Sequence, residues 1–291
     1  MSDLCHQLFL PGGILFLPLL IGLTGSLTFG VVGAYVTVRR ITYVAAAISH
    51  SVLAGIGAAV FLRHHCGWEW CTPMLGAFAA AVVSALIIGR VTLVAEHLGD
   101  SVISAVMVVG MAAGLLFLAK TPGYFSPMSV LFGDILLVSP RDLLVIGIVN
   151  GVTALTGVLF YRKLLAVCFD EEYARLRGLR AEVYSMLLLV LAALTVVAMM
   201  QIVGIVMVIA LLTLPAMTAM LVCRRLWQCM VLGGGLCALC VVAGLGLSFR
   251  TDLPTGPVIV ALAAALYLIA AAVVAARRAR QGSWTPAAAK L

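Results

Sequence analysis

Stretches of about twenty apolar residues follow one another along almost the whole chain, and this feature constrains the fold more than any other. A helix of that length crosses the hydrocarbon core of a bilayer, whereas a soluble domain rarely contains such runs in series. Only 10% of the residues are charged and 64% are hydrophobic, which leaves too few charges to cover a soluble surface. The sequence therefore predicts an all-α, polytopic transmembrane bundle with no room for a folded aqueous domain.

Nine candidate crossings lie between the polar connections. They run over residues 13–38, 44–62, 73–94, 101–118, 143–160, 182–200, 205–222, 229–247 and 256–276. The reversal between the sixth and seventh crossings has only Gln201 and Gly204 to support it, so a break inside one long span is the alternative there. We treat residues 1–291 as one transmembrane domain, with a cytoplasmic coupling segment at about 165–180 and a cytoplasmic tail at about 277–291.

Positive charge is distributed unevenly between the connections. If Arg39 and Arg40 are cytoplasmic, alternation of the crossings puts fourteen of the eighteen Lys and Arg residues on that side and leaves four outside. The positive-inside rule then predicts an outer N-terminus and an inner C-terminus. The basic residues are scattered singly or in pairs, so the net charge of +7 indicates membrane topology and no nucleic-acid partner.

His50 is the one ionisable residue that lies deep within a predicted span. Such residues usually face the interior of the bundle or a water-filled path, and neutral imidazole is a common ligand for divalent transition metals. The alternative is a packing histidine, hydrogen-bonded by the adjacent Ser49 and Ser51. His50 is therefore a candidate metal ligand on a translocation path.

A cluster of metal-ligating residue types lies in the predicted outer loop at 63–71, RHHCGWEWC. Imidazole and thiolate groups bind transition metals, so this loop is a second candidate metal site. Its candidate ligands are His64, His65, Cys66 and Cys71. The alternative is a disulfide between Cys66 and Cys71 in an oxidising exterior, with the two tryptophans of the loop at the lipid headgroup level.

The most charged connection lies at residues 162–180, on the predicted cytoplasmic side. Its charges recur at near-helical spacing, and Gly178 is placed to end a short helix. A charged helix on this face suits docking of a soluble partner, while a solvated connector is the alternative. Nothing in the sequence resembles a phosphate-binding glycine loop or a hydrolytic constellation, so energy for active transport must come from a partner or an ion gradient.

Three blocks, in order, resemble the permease subunits of bacterial ATP-driven zinc, manganese and iron importers. They are ISHSVLAGIG at 48–57, then LFGDILLVSPRDL at 131–143 with FDEEYARLRGL at 169–179, and QIVGIVMVIALLTLPAMTAML at 201–221. The resemblance implies a permease of the bacterial inner membrane that docks a separate ATPase and receives metal from an extracytoplasmic receptor. It also implies a second permease chain, either identical or homologous. The metal is cargo, so no permanently bound cofactor is expected, and the chain is not itself an enzyme.

Carried onto this sequence, the resemblance makes His50 a transient metal ligand and assigns ATPase coupling to residues 169–178. The coupling residues are Phe169, Asp170, Glu171, Glu172, Ala174, Arg175 and Gly178. One position departs from the family pattern, in which an aspartate often precedes the histidine by four residues: here that position is Ala46. Either another chain supplies the acid, the metal keeps water, or the path prefers a different ion. The metal carried, and whether the dimer is homo or hetero, stay open.

Two alternative functions are compatible with a chain of this kind. A permease for iron chelates or cobalamin resembles this family in architecture, but it carries bulky substrates and needs no intramembrane imidazole. An ion-coupled secondary metal carrier acting alone needs carboxylates within its spans, whereas the acidic residues of this chain fall at span ends or in loops.

Overall fold

The structure is a computed structural model that describes residues 16–68, 70–95, 99–121, 133, 140–251 and 253–280. Every regular element in these ranges is a helix. In chain order the helices are α1 (Phe16–Val38), α2 (Thr42–Cys66), α3 (Pro73–Val94), α4 (Gly99–Ala119), α5 (Pro140–Leu159), α6 (Tyr161–Phe169), α7 (Glu171–Leu176), α8 (Ala181–Val203), α9 (Ile205–Val222), α10 (Leu226–Thr251) and α11 (Thr255–Arg280). Most of the predicted tail, residues 281–291, lies outside the described part of the chain.

Nine of these helices correspond to the nine predicted crossings. Eight are individually long and apolar enough to span a membrane. The remaining helix, α5, is long enough only together with α6, which it meets at a bend of 71°. The prediction of an all-helical, multi-pass bundle is therefore confirmed, and α6 and α7 occupy the predicted cytoplasmic segment.

The second span extends further than hydropathy predicts. α2 runs to Cys66 and not to residue 62, so His64 and His65 lie in its last turn instead of a loop. The predicted end was wrong because hydropathy falls at Arg63, while nothing interrupts the helical backbone before Gly67. Gly67 then ends the helix at a φ of 68°, a left-handed conformation that glycine adopts without steric cost.

α1 lies at the centre of the bundle, and helices α5, α8, α9 and α10 pack around it. Its side chains Phe29 and Tyr35 are buried, and the Tyr35 hydroxyl donates a hydrogen bond to the Gly157 carbonyl of α5 at 2.9 Å. The contact with α10 is so close that a Cβ at Gly30 would lie 2.6 Å from the Met230 carbonyl oxygen. Small residues allow such approach in lipid, where the hydrophobic effect does not drive helices together.

The chain reverses direction at Gly204, between α8 and α9. The start of α8 lies at the end of α1, so these two helices are antiparallel. Met199, near the end of α8, packs against Gly25, whereas Leu212 of α9 meets Gly33, roughly two turns further along α1. If α9 continued in the direction of α8, Leu212 would pack against α1 before Gly25, nearer to the start of α1, and not at Gly33. Two crossings are therefore present where one broken span was the alternative.

α2, which carries His50, is held between α3 and α4 by small residues. The backbones of Gly55 and Gly76 touch where α2 crosses α3. On the other side, a Cβ at Gly110 of α4 would lie 2.6 Å from the Cα of Ser51. α4 therefore lies directly against the part of α2 that contains the histidine.

Candidate functional site

The imidazole of His50 is half-buried in the first half of α2. The two adjacent serines bond to their own helix: Ser49 donates to the Ala45 carbonyl and Ser51 to the Ile48 carbonyl, each at 2.8 Å. Both hydroxyl protons are thus used within α2. The two serines therefore give the ring no hydrogen-bond donor.

One face of α2 is only partly covered. Ala46, His50 and Ala54 follow one another at four-residue intervals and are half-buried, and Tyr43 on the same face is 45% exposed. The opposite face is enclosed, as Val52 shows with 0% exposure. We call the partly covered face, at positions 43, 46, 50 and 54, the accessible face of α2. His50 lies on it, and Ala46 offers no oxygen ligand there.

No three His, Cys, Asp or Glu side chains form a metal-binding group within the described ranges. At the C-terminal end of α2, His64 and His65 are neighbours, with their ring centroids 5.2 Å apart. The His65 ring also stacks on Phe61, with the ring centroids 4.2 Å apart. Within the described ranges no third ligand-type side chain joins these two rings, so the outer metal site at His64, His65, Cys66 and Cys71 stays a prediction.

The disulfide alternative for this region is not formed either, since Cys66 and Cys71 are both free thiols. Trp68 and Trp70 stack with their ring centroids 5.4 Å apart, and both are exposed. That placement fits aromatic side chains at the headgroup level. Glu69, which lies between the tryptophans, is outside the described residues.

Residues 169–178, here called the docking segment, contain α7 and its flanking turns. Asp170 caps α7, because its Oδ1 accepts a hydrogen bond from the Tyr173 N–H at 2.9 Å. Gly178 ends the segment at a φ of 77°, in the conformation that the sequence predicts for a residue just past a helix. Ala174 is 1% exposed and packs with Val167 of α6. The segment is therefore ordered against its neighbouring helix.

Arg39, immediately after α1, ties the docking segment to the bundle. Its Nη2 lies 2.9 Å from Glu171 Oε2 and 2.8 Å from the Ser185 hydroxyl, near the start of α8. Arg175 adds a contact of 3.2 Å to Glu171 Oε1. From the sequence, Arg39 is identified only as a charge that indicates topology, and its pairing with Glu171 is missed. Its partners are 132 and 146 residues away, so no local pattern identifies them.

The outward side of the docking segment is apolar, although charges surround it. Phe169 is 72% exposed, Tyr173 50% and Leu176 87%, and the Arg177 guanidinium lies 5.1 Å from the centre of the Tyr173 ring. Glu172 is exposed on the same segment. Large apolar side chains grouped on an ordered surface segment are typical of a protein contact site.

This chain is similar in sequence and in fold to known proteins. A sequence profile described as the ABC 3 transport family matches residues 14–274. A probable metal transport system membrane protein of Chlamydia trachomatis serovar D is 34% identical over 91% of this chain and 90% of its own length. The manganese transport system membrane protein MntC of Halalkalibacterium halodurans is 32% identical over 83% of this chain and 80% of its own. A solved structure, PsaBC from Streptococcus pneumoniae in complex with Fab, matches with a TM-score of 0.79 and 26% identity, covering 92% of this chain and 94% of that chain.

Proposed function

Because this chain belongs to the ABC 3 transport family, we propose that it forms the metal path of an ATP-driven manganese importer and docks a separate ATPase. The coarser function follows from the family and its relatives: the chain is a permease subunit of a metal ABC transporter and not an enzyme. It is a multi-pass protein of the inner membrane. This function replaces the alternative of an ion-coupled carrier acting alone.

The position of His50 carries the proposal for the metal path. The residue lies half-buried within a span, on the accessible face of α2, and imidazole binds divalent transition metals. The neighbouring side chains on that face, Ala46 and Ala54, are small. A sparse ligand set also suits transport, because an ion held weakly is released again.

The choice of manganese is supported by the names of similar proteins. These include MntC and the manganese import system permease protein ScaB of Streptococcus parasanguinis, which is 29% identical to this chain. Manganese prefers oxygen ligands, and Ala46 supplies none. We therefore propose that water and a second permease chain, placed against the accessible face of α2, complete the coordination. Zinc and ferrous ion are the competing cargoes.

Uptake of radioactive manganese by cells that carry the whole transporter tests this function. His50→Ala is expected to reduce uptake roughly tenfold or more, because a direct ligand is removed, while the permease level in the membrane is unchanged. Arg63→Ala, at an exposed residue near the C-terminal end of the same helix, is the control and should transport normally. Normal uptake by the His50→Ala variant removes this residue from the path. Zinc or ferrous ion that competes better than unlabelled manganese overturns the choice of cargo.

The docking segment is the proposed contact for the ATPase. Its exposed apolar side chains lie beyond the spans, and Arg39 connects it to the central helix α1 and to the start of α8. A segment attached in this way can pass a displacement of the ATPase to the spans. A metal-binding receptor on the outer face and a second permease chain complete the proposed complex.

A further inference from the structure

A groove of about 770 Å³ lies over α1, between the end of α5 and the start of α10. Its volume falls within the range of small-molecule sites, roughly 300–1,000 Å³. Neither His50 nor any residue of the docking segment lines it. The proposed function therefore leaves this groove unexplained.

The walls of the groove are apolar and open outward. Leu27 of α1, Leu159 of α5 and Val231 of α10 line it and are 67%, 73% and 70% exposed. On a bundle that spans a membrane, such side chains face hydrocarbon. Gly234 and Gly235 leave one part of the α10 wall without side chains, and a Cβ at Gly235 would meet no atom within 4 Å. The shape suits a lipid acyl chain.

One end of the groove is cationic. Arg162 and Lys163 line it where α5 bends by 71° into α6. Both side chains are exposed, and no described carboxylate forms an ion pair with either. Trp227, 49% exposed, also lines the groove from the start of α10. Two cations beside an interfacial tryptophan define a site at the headgroup level, at the end of the bundle that carries the docking segment.

We propose that this groove binds one anionic phospholipid, with an acyl chain along α1 and the phosphate at Arg162 and Lys163. Basic pockets between spans at the cytoplasmic end of a membrane protein recognise acidic headgroups, and each cation adds to the attraction. The lipid bridges the bend between α5 and α6 to the first turns of α10. It thereby braces the base from which the docking segment extends.

A second copy of this chain is the other candidate occupant, and electrostatics disfavour it. In a two-fold interface the same patch meets itself. Arg162 and Lys163 of each copy would then face like charges and lose water, which is costly when no carboxylate pairs with them. A phosphate group supplies the negative charge that a second copy lacks.

Native mass spectrometry of the full-length chain in detergent tests this proposal, with phosphatidylglycerol and phosphatidylcholine as the two probes. We expect one tightly bound phosphatidylglycerol per chain and roughly tenfold weaker binding of phosphatidylcholine. The double variant Arg162→Gln/Lys163→Gln should lose this preference. Gly235→Leu, which fills the groove without a clash at its Cβ, should weaken binding of both lipids. Arg90→Gln, at an exposed cation of α3 outside the groove, is the matched control and should bind as the parent does.

Any of the following results overturns the proposal. The first is equal binding of the two lipids by the parent chain, or phosphatidylglycerol binding that survives Gly235→Leu. The second is a Gly235→Leu variant that separates dimers into monomers with its bound lipid unchanged, since that assigns the groove to contact between copies. The third is loss of lipid in the Arg90→Gln control to the same extent as in the double variant, which would show binding by overall charge alone.

Discussion

The helix that carries His50 supplies no second metal ligand beside the imidazole. Position 46, one turn earlier on the same face, is alanine, and the described part of the chain gathers no group of three metal-ligating side chains around the ring. A divalent ion in a low-dielectric setting needs negative charge nearby. An ion bound at His50, as proposed, would draw that charge from another chain, from a part of this chain outside the described residues, or keep part of its water shell.

A carboxylate introduced at position 46 tests whether the ion lacks negative charge beside His50. Ala46→Asp places an oxygen ligand one helical turn from the imidazole, so we expect the manganese concentration at half-maximal uptake to fall roughly tenfold. The maximal rate should fall as well, because a better-held ion leaves more slowly. Ala58→Asp, two turns beyond His50 and also half-buried, is the control. An unchanged half-maximal concentration in the Ala46→Asp variant would mean that the ion does not stop beside His50.

The pairing of Arg39 with Glu171 supplies a second test at the scale of residues. Both side chains are largely enclosed, at 20% and 28% exposure, and the second guanidinium nitrogen of Arg39, Nη1, is buried with no partner among the described residues. Removing Glu171 therefore leaves a poorly solvated cation. We expect Arg39→Gln and Glu171→Gln each to lower the metal-stimulated ATPase rate of the complex.

The double variant Arg39→Gln/Glu171→Gln distinguishes a direct pair from two independent effects. If the two side chains act through each other, its loss of ATPase rate should be smaller than the two single losses combined. Arg40→Gln, at the exposed neighbouring cation, should leave the rate unchanged. Strictly additive losses would show that Arg39 and Glu171 act separately.

Among the elements, α7 is too short to be stable alone, since it has only six residues. Its order comes from the Asp170 cap, from buried Ala174 and from the ion pair with Arg39. None of these depends on the outward apolar side chains. The surface of the docking segment can therefore be changed without loss of its shape.

Leu176→Asp uses this independence to test docking. The side chain is 87% exposed, so the substitution should change the stability of the permease by no more than about 0.5 kcal/mol, while it places a charge in the proposed contact. We expect the ATPase to be lost when tagged permease is purified from cells that express both chains. Val94→Asp, at an 86% exposed residue where α3 ends, is the matched control. Full recovery of the ATPase with the Leu176→Asp variant would place docking elsewhere.

The turn between α8 and α9 depends on one residue. Gly204 has φ 82° and ψ 161°, a region that is open essentially to glycine alone. Gly204→Ala should cost about 1–3 kcal/mol and lower the melting temperature of the permease in detergent. Gly147→Ala in α5, where an added Cβ meets no atom within 4 Å, should be neutral or slightly stabilising. A melting temperature unchanged by Gly204→Ala would contradict the backbone conformation of this turn.

For the whole molecule, hydropathy places the candidate crossings, because each span must bury about twenty apolar residues on its own. Whether α8 and α9 are two crossings or one broken span is decided only by their contacts along α1. Hydropathy is insufficient for the ends of spans, since helical hydrogen bonding in α2 continues past Arg63 to Cys66. The same limit applies to the candidate site. His50 stands out as an ionisable residue in a span, but the pair of Arg39 and Glu171 joins residues 132 positions apart. The groove over α1 is a gap between helices that are distant in the sequence. The ion pair and the groove therefore arise only from tertiary packing.

The orientation of the bundle is predicted from charge, and labelling of exposed cysteines tests it. Cys66 is exposed at the end of α2 remote from Arg39 and the docking segment, and the positive-inside rule puts that end outside. In spheroplasts, a variant whose other cysteines are replaced by alanine should react at Cys66 with a membrane-impermeant maleimide. The same background with Cys66→Ala and Arg177→Cys should react only after permeabilisation. The reverse pattern would invert the topology and would also remove the docking segment from the reach of a cytoplasmic ATPase.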